Sequence, residues 1–443
     1  MRWFRSGASG GPGVLSARRR PCADRSPSEP VPSAESDPPP APPENTVSQT
    51  PLARRTVLRS LAGAGVIALG ATACAAGAEA DDPADPATAP SGAPGQPSAA
   101  PTEPPAAPAR GRRLGGEWEK HERTFMAWPA SENVWGGQLG AVRKDIAEVA
   151  RAIGQREPVV LFVRPGQEAT ARNACGSDVE LLSVPVDDLW ARDTVPVFVE
   201  EGGKVKGVDF NFSGWGGKQE HANDARIARA VLDKYGIERV ETPLTAEGGS
   251  FETDGQGTLM VTESSVVNDN RNPGRTRDQV EEELKRALGV SRVIWLAGVR
   301  GKDITDAHVD CLARFAAPGV VFLDRAFPGT PADVWSRSAD QARSVLAEAV
   351  DATGRKLKVV EIGQPDPDKI TGRGDSFVSS YMNFYIGNKG VYLPLFGDPR
   401  ADDHAQDVFR DHFPGREIVP LGIDTIASGG GGIHCATHDQ PAG

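Results

Sequence analysis

The chain has 443 residues, with 49 basic and 60 acidic side chains that give a net charge of −11. That length admits two or three average domains, and the acidic balance argues against a nucleic-acid partner while suiting a cationic ligand. Only Cys175, Cys311 and Cys435 lie beyond residue 75, too sparse and odd a set for a disulfide framework, and no CxxC or His/Cys spacing indicates a metal site.

The first 110 residues lack the signs of a packed core. Residues 27–51 and 81–109 are crowded with Pro, Ala, Ser and acidic side chains and hold too little apolar surface to offset ordering. Between them stands Ala53-Arg-Arg-Thr-Val-Leu-Arg59, followed by the small, apolar run Ser60–Cys74. A twin arginine before such a run reads as a Tat-type export signal, and the run is too short and too rich in Ala and Gly to span a bilayer. Cys74 is a candidate lipid-anchor site, although Ala71-Thr72-Ala73 lacks the large aliphatic residue of lipoprotein signals and also suits ordinary cleavage. The expected organisation is an export signal over 1–75, a disordered linker over 76–112 and a catalytic domain over 113–443, which places the product outside the cytoplasm or at the cell surface. Ten basic and ten acidic residues cancel between positions 1 and 110, so the whole of the −11 falls on 111–443.

From residue 117 one pattern recurs. Helical periodicity appears over Gln138–Gly154, Ala222–Tyr235, Thr276–Leu288, Arg337–Val350 and Asp402–His412. Val280, Leu284 and Leu288 fall on one face of the third stretch. Each stretch is followed by a β-rich run: Pro158–Val163, Arg239–Thr242, Arg292–Leu296, Leu357–Ile362 and Glu417–Leu421. Gly154, Gly236, Gly289, Gly354 and Gly415 stand between helix and strand, where a C-cap glycine belongs. Further apolar runs cover Val195–Val199, Thr258–Val261, Val320–Leu323 and Val391–Leu395. A unit repeated five times predicts an α/β fold with a closed, pseudo-fivefold ring of ββαβ modules. A doubly wound α/β sheet is the other arrangement, and the lack of a phosphate-binding glycine loop after any strand weakens a nucleotide-binding version of it.

Polar clusters occupy a similar phase in every unit: Asp187–Asp193, Ala246–Ser250, Asp303–Asp310, Ser379–Asn383 and the glycine loop Ser428–His438. In a ring, equivalent positions face one mouth, so Asp193, Glu247, His308, Asp310 and Cys435 are expected to converge. Cys435 and His308 are a nucleophile and a general acid/base. A strand-end His-x-Asp puts His308 and Asp310 on one face and turns Cys311 to the other. Two carboxylates beside a thiol make sense when the substrate is a planar cation held through paired N–H bonds, which describes a guanidinium. Trp190 is placed to stack on it. Each residue has a plainer reading too: a surface ion pair with Arg192 for Asp193, a structural histidine for His308, a turn residue for Glu247, core for Trp190 and Cys435.

At these residues the sequence resembles the agmatine deiminase and bacterial-type peptidylarginine deiminase family of guanidino-modifying enzymes. The matching segments are Glu117–Pro129, Trp190-Ala-Arg-Asp-Thr194, Asn211–Gly217, Glu247-Gly-Gly-Ser250, His308-Val-Asp310, Asn383-Phe-Tyr385, Phe396-Gly-Asp-Pro399 and Gly429–Cys435. The resemblance implies the pentein fold, a five-bladed α/β propeller, and no cofactor. It implies Cys435 as nucleophile, His308 as general acid/base, Asp193 and Asp310 as the guanidinium clamp, and Trp190 and Glu247 as lining. The substrate expected from it is agmatine, converted to N-carbamoylputrescine and ammonia through a covalent Cys thiouronium intermediate, with peptidyl-arginine as the alternative. Asp303 or Asp306 is expected to meet the cationic tail. Ala307 stands where the family usually has glycine. An amidinotransferase, a cysteine peptidase and a non-catalytic guanidine-binding protein complete the readings.

Overall fold

A computed structural model describes residues 111–443, except 371, 373 and 375. The expected export signal, Cys74 and the expected linker up to residue 110 lie outside the described residues.

The described chain is a mixed α/β structure with five separate sheets. Each has the same logic, an antiparallel pair followed by a strand added in parallel. Thr258–Thr262 pairs antiparallel with Glu252–Thr253 and parallel with Arg292–Leu296. Val320–Arg325 does the same with Ala313–Ala317 and Lys358–Gly363. Gly390–Leu395 lies between Tyr385–Ile386 and Glu417–Gly422. Lys204–Asp209 lies between Val197–Glu201 and Glu238–Glu241, with Arg112–Arg113 on the far edge. In the fifth sheet His121–Ala127 pairs parallel with Val159–Val163, which carries Val179–Ser183 beyond it. Its antiparallel partner is His438–Pro441, from the other end of the chain.

Parallel neighbours need a crossover, and a helix supplies each one. Glu168–Cys175 joins Val159–Val163 to Val179–Ser183, and the other five helices are Leu139–Gly154, Ile227–Tyr235, Arg277–Leu288, Val334–Glu348 and Pro399–His412. They agree with the predicted periodic stretches to within a few residues, and Val280, Leu284 and Leu288 are all fully buried. Thr276 and Gln279 cap the third helix reciprocally. The glycine signals hold only in part. Gly236 and Gly289 are left-handed caps, with φ of 63° and 71°. Gly154 is itself the last helical residue, and Gly354 and Gly415 turn the chain after their helices have already ended.

Candidate active site

The polar clusters sit on short turns where sheets end. Asp193 lies in the helical turn Ala191–Thr194 and is buried. Its Oδ1 accepts from the Gly249 amide at 3.1 Å and its Oδ2 from the Trp215 indole at 2.9 Å. Arg192 does not pair with it. That guanidinium turns to Glu117 at 2.6 Å and Asp439 at 3.4 Å. Glu247 opens the 3₁₀ turn Gly248–Ser250, and its carboxylate lies between His308 Nε2, at 3.0 Å, and Arg271 Nε, at 3.1 Å.

His308 and Asp310 are not at a strand end, as the alternation pattern suggests. They belong to the 3₁₀ turn Val309–Cys311 and the residue before it. In such a turn successive side chains advance by about a third of a circle rather than flipping between faces. Cys311 therefore does not point away from the site. Its Sγ lies 3.1 Å from Asn383 Nδ2, the same distance as Cys435 Sγ.

Gly249 defines the meeting point. A Cβ placed there would stand 2.6 Å from His308 Nδ1, 2.9 Å from Asp193 Oδ1 and 3.2 Å from Asp310 Oδ2. Asp310 Oδ2 is in turn 3.4 Å from Cys435 Sγ. The glycine loop brings Trp190 to the same place: a Cβ on Gly431 would meet Trp190 Cζ3 at 2.5 Å and Cys435 Cβ at 3.0 Å. The Trp190 indole donates to Asp188 at 2.9 Å, which fixes its plane. Asp193, Glu247, His308, Asp310 and Cys435 thus gather as the repeat phase predicts, and Trp190 lies beside Cys435.

Asp303 and Asp306 are engaged elsewhere. Asp303 Oδ1 accepts from the Ala307 amide and the Thr305 hydroxyl and so caps its own loop. Asp306 is 1% exposed, and its carboxylate takes Lys218 at 2.6 Å, Arg271, Asn270 and the Gly301 amide. Both hold the loop before His308, and the Asp306 carboxylate is not free for a substrate tail. Asp306 and Ala307 have φ of 61° and 66°, the left-handed region that favours glycine at residue 307.

Charge in the site is set by burial and by mutual contact. Burial pushes Asp193 up to about 6, with Glu247 and Asp310 adding to it and His308 opposing. Burial opposes ionisation of Asp310 as well, yet the hydrogen bond with His434 and the nearby cations hold it down at about 2. Burial disfavours the imidazolium of His308, but Asp193 and Glu247 outweigh it and raise the group to about 9. Glu247 itself is held low, against burial, by His308 and Arg271. A hydrogen bond from Cys311 favours the Cys435 thiolate. Burial and the carboxylates of Asp310 and Asp193 work against it, and the thiol is pushed up. Two buried atoms, His308 Nδ1 and Asp310 Oδ1, have no hydrogen-bond partner among the described residues.

Four contributors escape a reading by motif. Asn383 touches both sulfurs, Trp215 holds Asp193, Gly249 makes room for three reacting groups, and His434 links Asp310, at 2.8 Å, to Glu117, at 3.1 Å. The first three lie in or beside the conspicuous segments Asn383–Tyr385, Asn211–Gly217 and Glu247–Ser250. His434 directly precedes Cys435.

A thiol, an imidazole and paired carboxylates around one buried point define an enzyme of guanidine chemistry. The sequence profile of the Porphyromonas-type peptidyl-arginine deiminases matches residues 113–441. A Streptomyces coelicolor protein, provisionally named an agmatine deiminase, is 41% identical over 345 residues, which are 74% of this chain and 98% of that one. The agmatine deiminase of Medicago truncatula is 33% identical over 366 residues, 75% of this chain and 97% of its own. The solved agmatine deiminase of Enterococcus faecalis superposes with a TM-score of 0.70 at 30% identity, over 76% of this chain and 99% of that one. The chain belongs to the agmatine deiminase and bacterial-type peptidylarginine deiminase family, and is a hydrolase of C–N bonds in linear amidines.

Proposed function

We propose that this protein is an exported agmatine deiminase. The observation that carries the reading is the convergence of His308 Nδ1, Asp193 Oδ1 and Asp310 Oδ2 on one point, with Asp310 Oδ2 3.4 Å from Cys435 Sγ. Among the relatives, the Medicago and Enterococcus proteins are named for agmatine. The twin-arginine leader around Arg54 and Arg55 supports export, and the five ββαβ sheets, the last completed by His438–Pro441, support a closed five-bladed ring.

In this reading the guanidinium lies between Asp193 and Asp310, and Asp310 Oδ1 gains the partner it otherwise lacks. The bound cation offsets the carboxylates that raise Cys435, and the thiol ionises. The thiolate adds to the guanidinium carbon. His308, protonated near neutral pH, gives its proton to an amino group, and ammonia leaves. The S-alkylthiouronium that remains is attacked by water, which returns a proton to His308. The C–S bond then breaks to release N-carbamoylputrescine and the thiolate. Glu247 keeps Nε2 of the imidazole engaged, which leaves Nδ1 toward the reacting atoms.

The test is ammonia and N-carbamoylputrescine formation from agmatine by the purified protein, without an added amine, beside Cys435→Ala. Turnover that vanishes in the variant supports the proposal. Product from arginine peptides but not from agmatine moves the substrate to protein and overturns the agmatine assignment.

A further inference from the structure

Cys311 takes no step in that chemistry and acts on it only through its hydrogen bond to Cys435, yet its sulfur is inside the site. Cys311 Sγ, Cys435 Sγ and an oxygen of Asp310 lie within 4.8 Å of one another. Asp310 Oδ2 is 3.4 Å from Cys435 Sγ, and both sulfurs are 3.1 Å from the same Asn383 nitrogen. We propose that Asp310, Cys311 and Cys435 form a binding site for a thiophilic divalent cation of the zinc class, and that its occupancy reversibly blocks the enzyme.

The geometry suits that ion. Zinc bonds of about 2.3 Å to sulfur and about 2.1 Å to oxygen, at tetrahedral angles, separate sulfur from oxygen by roughly 3.6 Å. The Cys435–Asp310 edge is already within a few tenths of an ångström of this. Two thiolates and one carboxylate favour zinc or cadmium over magnesium or calcium, which prefer all-oxygen shells. Three protein donors leave a fourth tetrahedral position for water. His434 Nδ1, 2.8 Å from Asp310 Oδ2, orients the carboxylate as a supporting partner. Binding requires both thiols to lose their protons, so the metal takes up the negative charge that the buried cluster otherwise disfavours. The Asn383 amide nitrogen, a donor now placed against both sulfurs, gives way to the cation.

Inhibition follows from the shared groups. The cation and the guanidinium both require Asp310 and Cys435, so they exclude one another. Cys311 would be a ligand of the cation alone and touches the reaction only through its hydrogen bond to Cys435, which separates this site from the site of the reaction.

Cobalt(II) is the probe, titrated into the full chain under a phosphine reductant and without substrate, so that the outcome does not depend on which guanidine is turned over. The expected result is one cobalt per chain with a near-ultraviolet thiolate-to-metal absorption of the intensity of two Co–S bonds, abolished by excess zinc. Cys311→Ser is expected to halve that absorption. It is also expected to raise the zinc concentration for half-inhibition by at least about 100-fold, beyond the 10–100-fold typical of a residue that only supports a ligand. Absence of the band, a band of one Co–S bond in the unaltered protein, or equal zinc inhibition of the protein and Cys311→Ser would overturn the proposal. The band intensity of the unaltered protein decides the matter even where Cys311→Ser does not fold.

Discussion

Asn383 holds Cys435 at two points. Its Oδ1 accepts from the Cys435 amide at 3.1 Å, and its Nδ2 lies 3.1 Å from the sulfur. One side chain therefore fixes both the backbone and the thiol of Cys435. Removing a hydrogen bond to a charged group costs about 1.5–3 kcal/mol, which corresponds to a loss of about 10–100-fold in kcat/KM for Asn383→Ala. Asn383→Asp is expected to be worse, because a further carboxylate beside the sulfur disfavours the thiolate. Steady-state kinetics with circular dichroism to check the fold measure both. Activity of Asn383→Ala within threefold of the parent would remove Asn383 from this role.

Gly249→Ala tests the meeting point. The added methyl would sit 2.6 Å from His308 Nδ1 and 2.9 Å from Asp193 Oδ1, so at least one of them must move. A displacement of about 1 Å is expected to lower kcat/KM on the order of 100-fold. The overpacking itself is expected to cost about 1–3 kcal/mol of stability. A thermal melt and a kinetic assay on the same sample separate the two effects.

Asp193 must be ionised to hold a cation, and it is raised to about 6. Agmatine binding to the inactive Cys435→Ala variant should therefore be constant above that pH and weaken as pH falls through it. The Trp215 indole donates to the ionised carboxylate, so Trp215→Phe should move the midpoint to higher pH. Calorimetric titrations from about one unit below the transition to about two units above it read the shift directly. A midpoint that moves down would contradict the assigned role of Trp215.

Turnover should follow a different profile. His308 keeps its proton up to about 9, while the Cys435 thiol is itself pushed up. The reactive pair of thiolate and imidazolium is then a minor form that grows as pH rises through neutrality. kcat/KM is expected to climb from pH 6 toward an optimum at or above about 9 and to fall beyond it as His308 loses its proton. An optimum at or below neutrality would mean that the thiol is not raised.

Ala307→Gly should stabilise the loop before the histidine. Ala307 has a φ of 66°, which costs a side-chain-bearing residue about 1–2 kcal/mol. Part of this returns as extra freedom of the unfolded chain, so a gain of about 1 kcal/mol is expected in chemical denaturation. No gain would mean that the contacts of the Ala307 methyl offset the strain.

Much of this fold is legible in the sequence because the parallel strands are buried. Val159–Val163 and Thr258–Thr262 are buried along their full lengths, and buried strands read as apolar runs. The two-residue strands Glu252–Thr253 and Tyr385–Ile386 are too short to leave a pattern, and His438–Pro441 carries no apolar alternation at all. The phase of the polar clusters located Asp193, Glu247, His308, Asp310 and Cys435. Strand alternation misplaces Cys311, which lies in a 3₁₀ turn, and a cationic tail makes Asp306 a natural partner only while the claims of Arg271 and Lys218 on that carboxylate, from distant parts of the chain, are unseen. Asn383 and Gly249 matter through distances that spacing along one chain does not encode.

The pairing of His438 with Phe125 has a kinetic consequence. Cys435 lies three residues before a strand whose partner is nearly the whole domain away, so seating the thiol requires the longest strand-pairing closure among the described residues. Closure of that kind is slow compared with helix formation. After dilution from denaturant, helical signal should return first and ammonia release later. Between the two, the chain passes through a period in which most of it is folded and its most reactive sulfur is still exposed to whatever oxidant the surroundings hold.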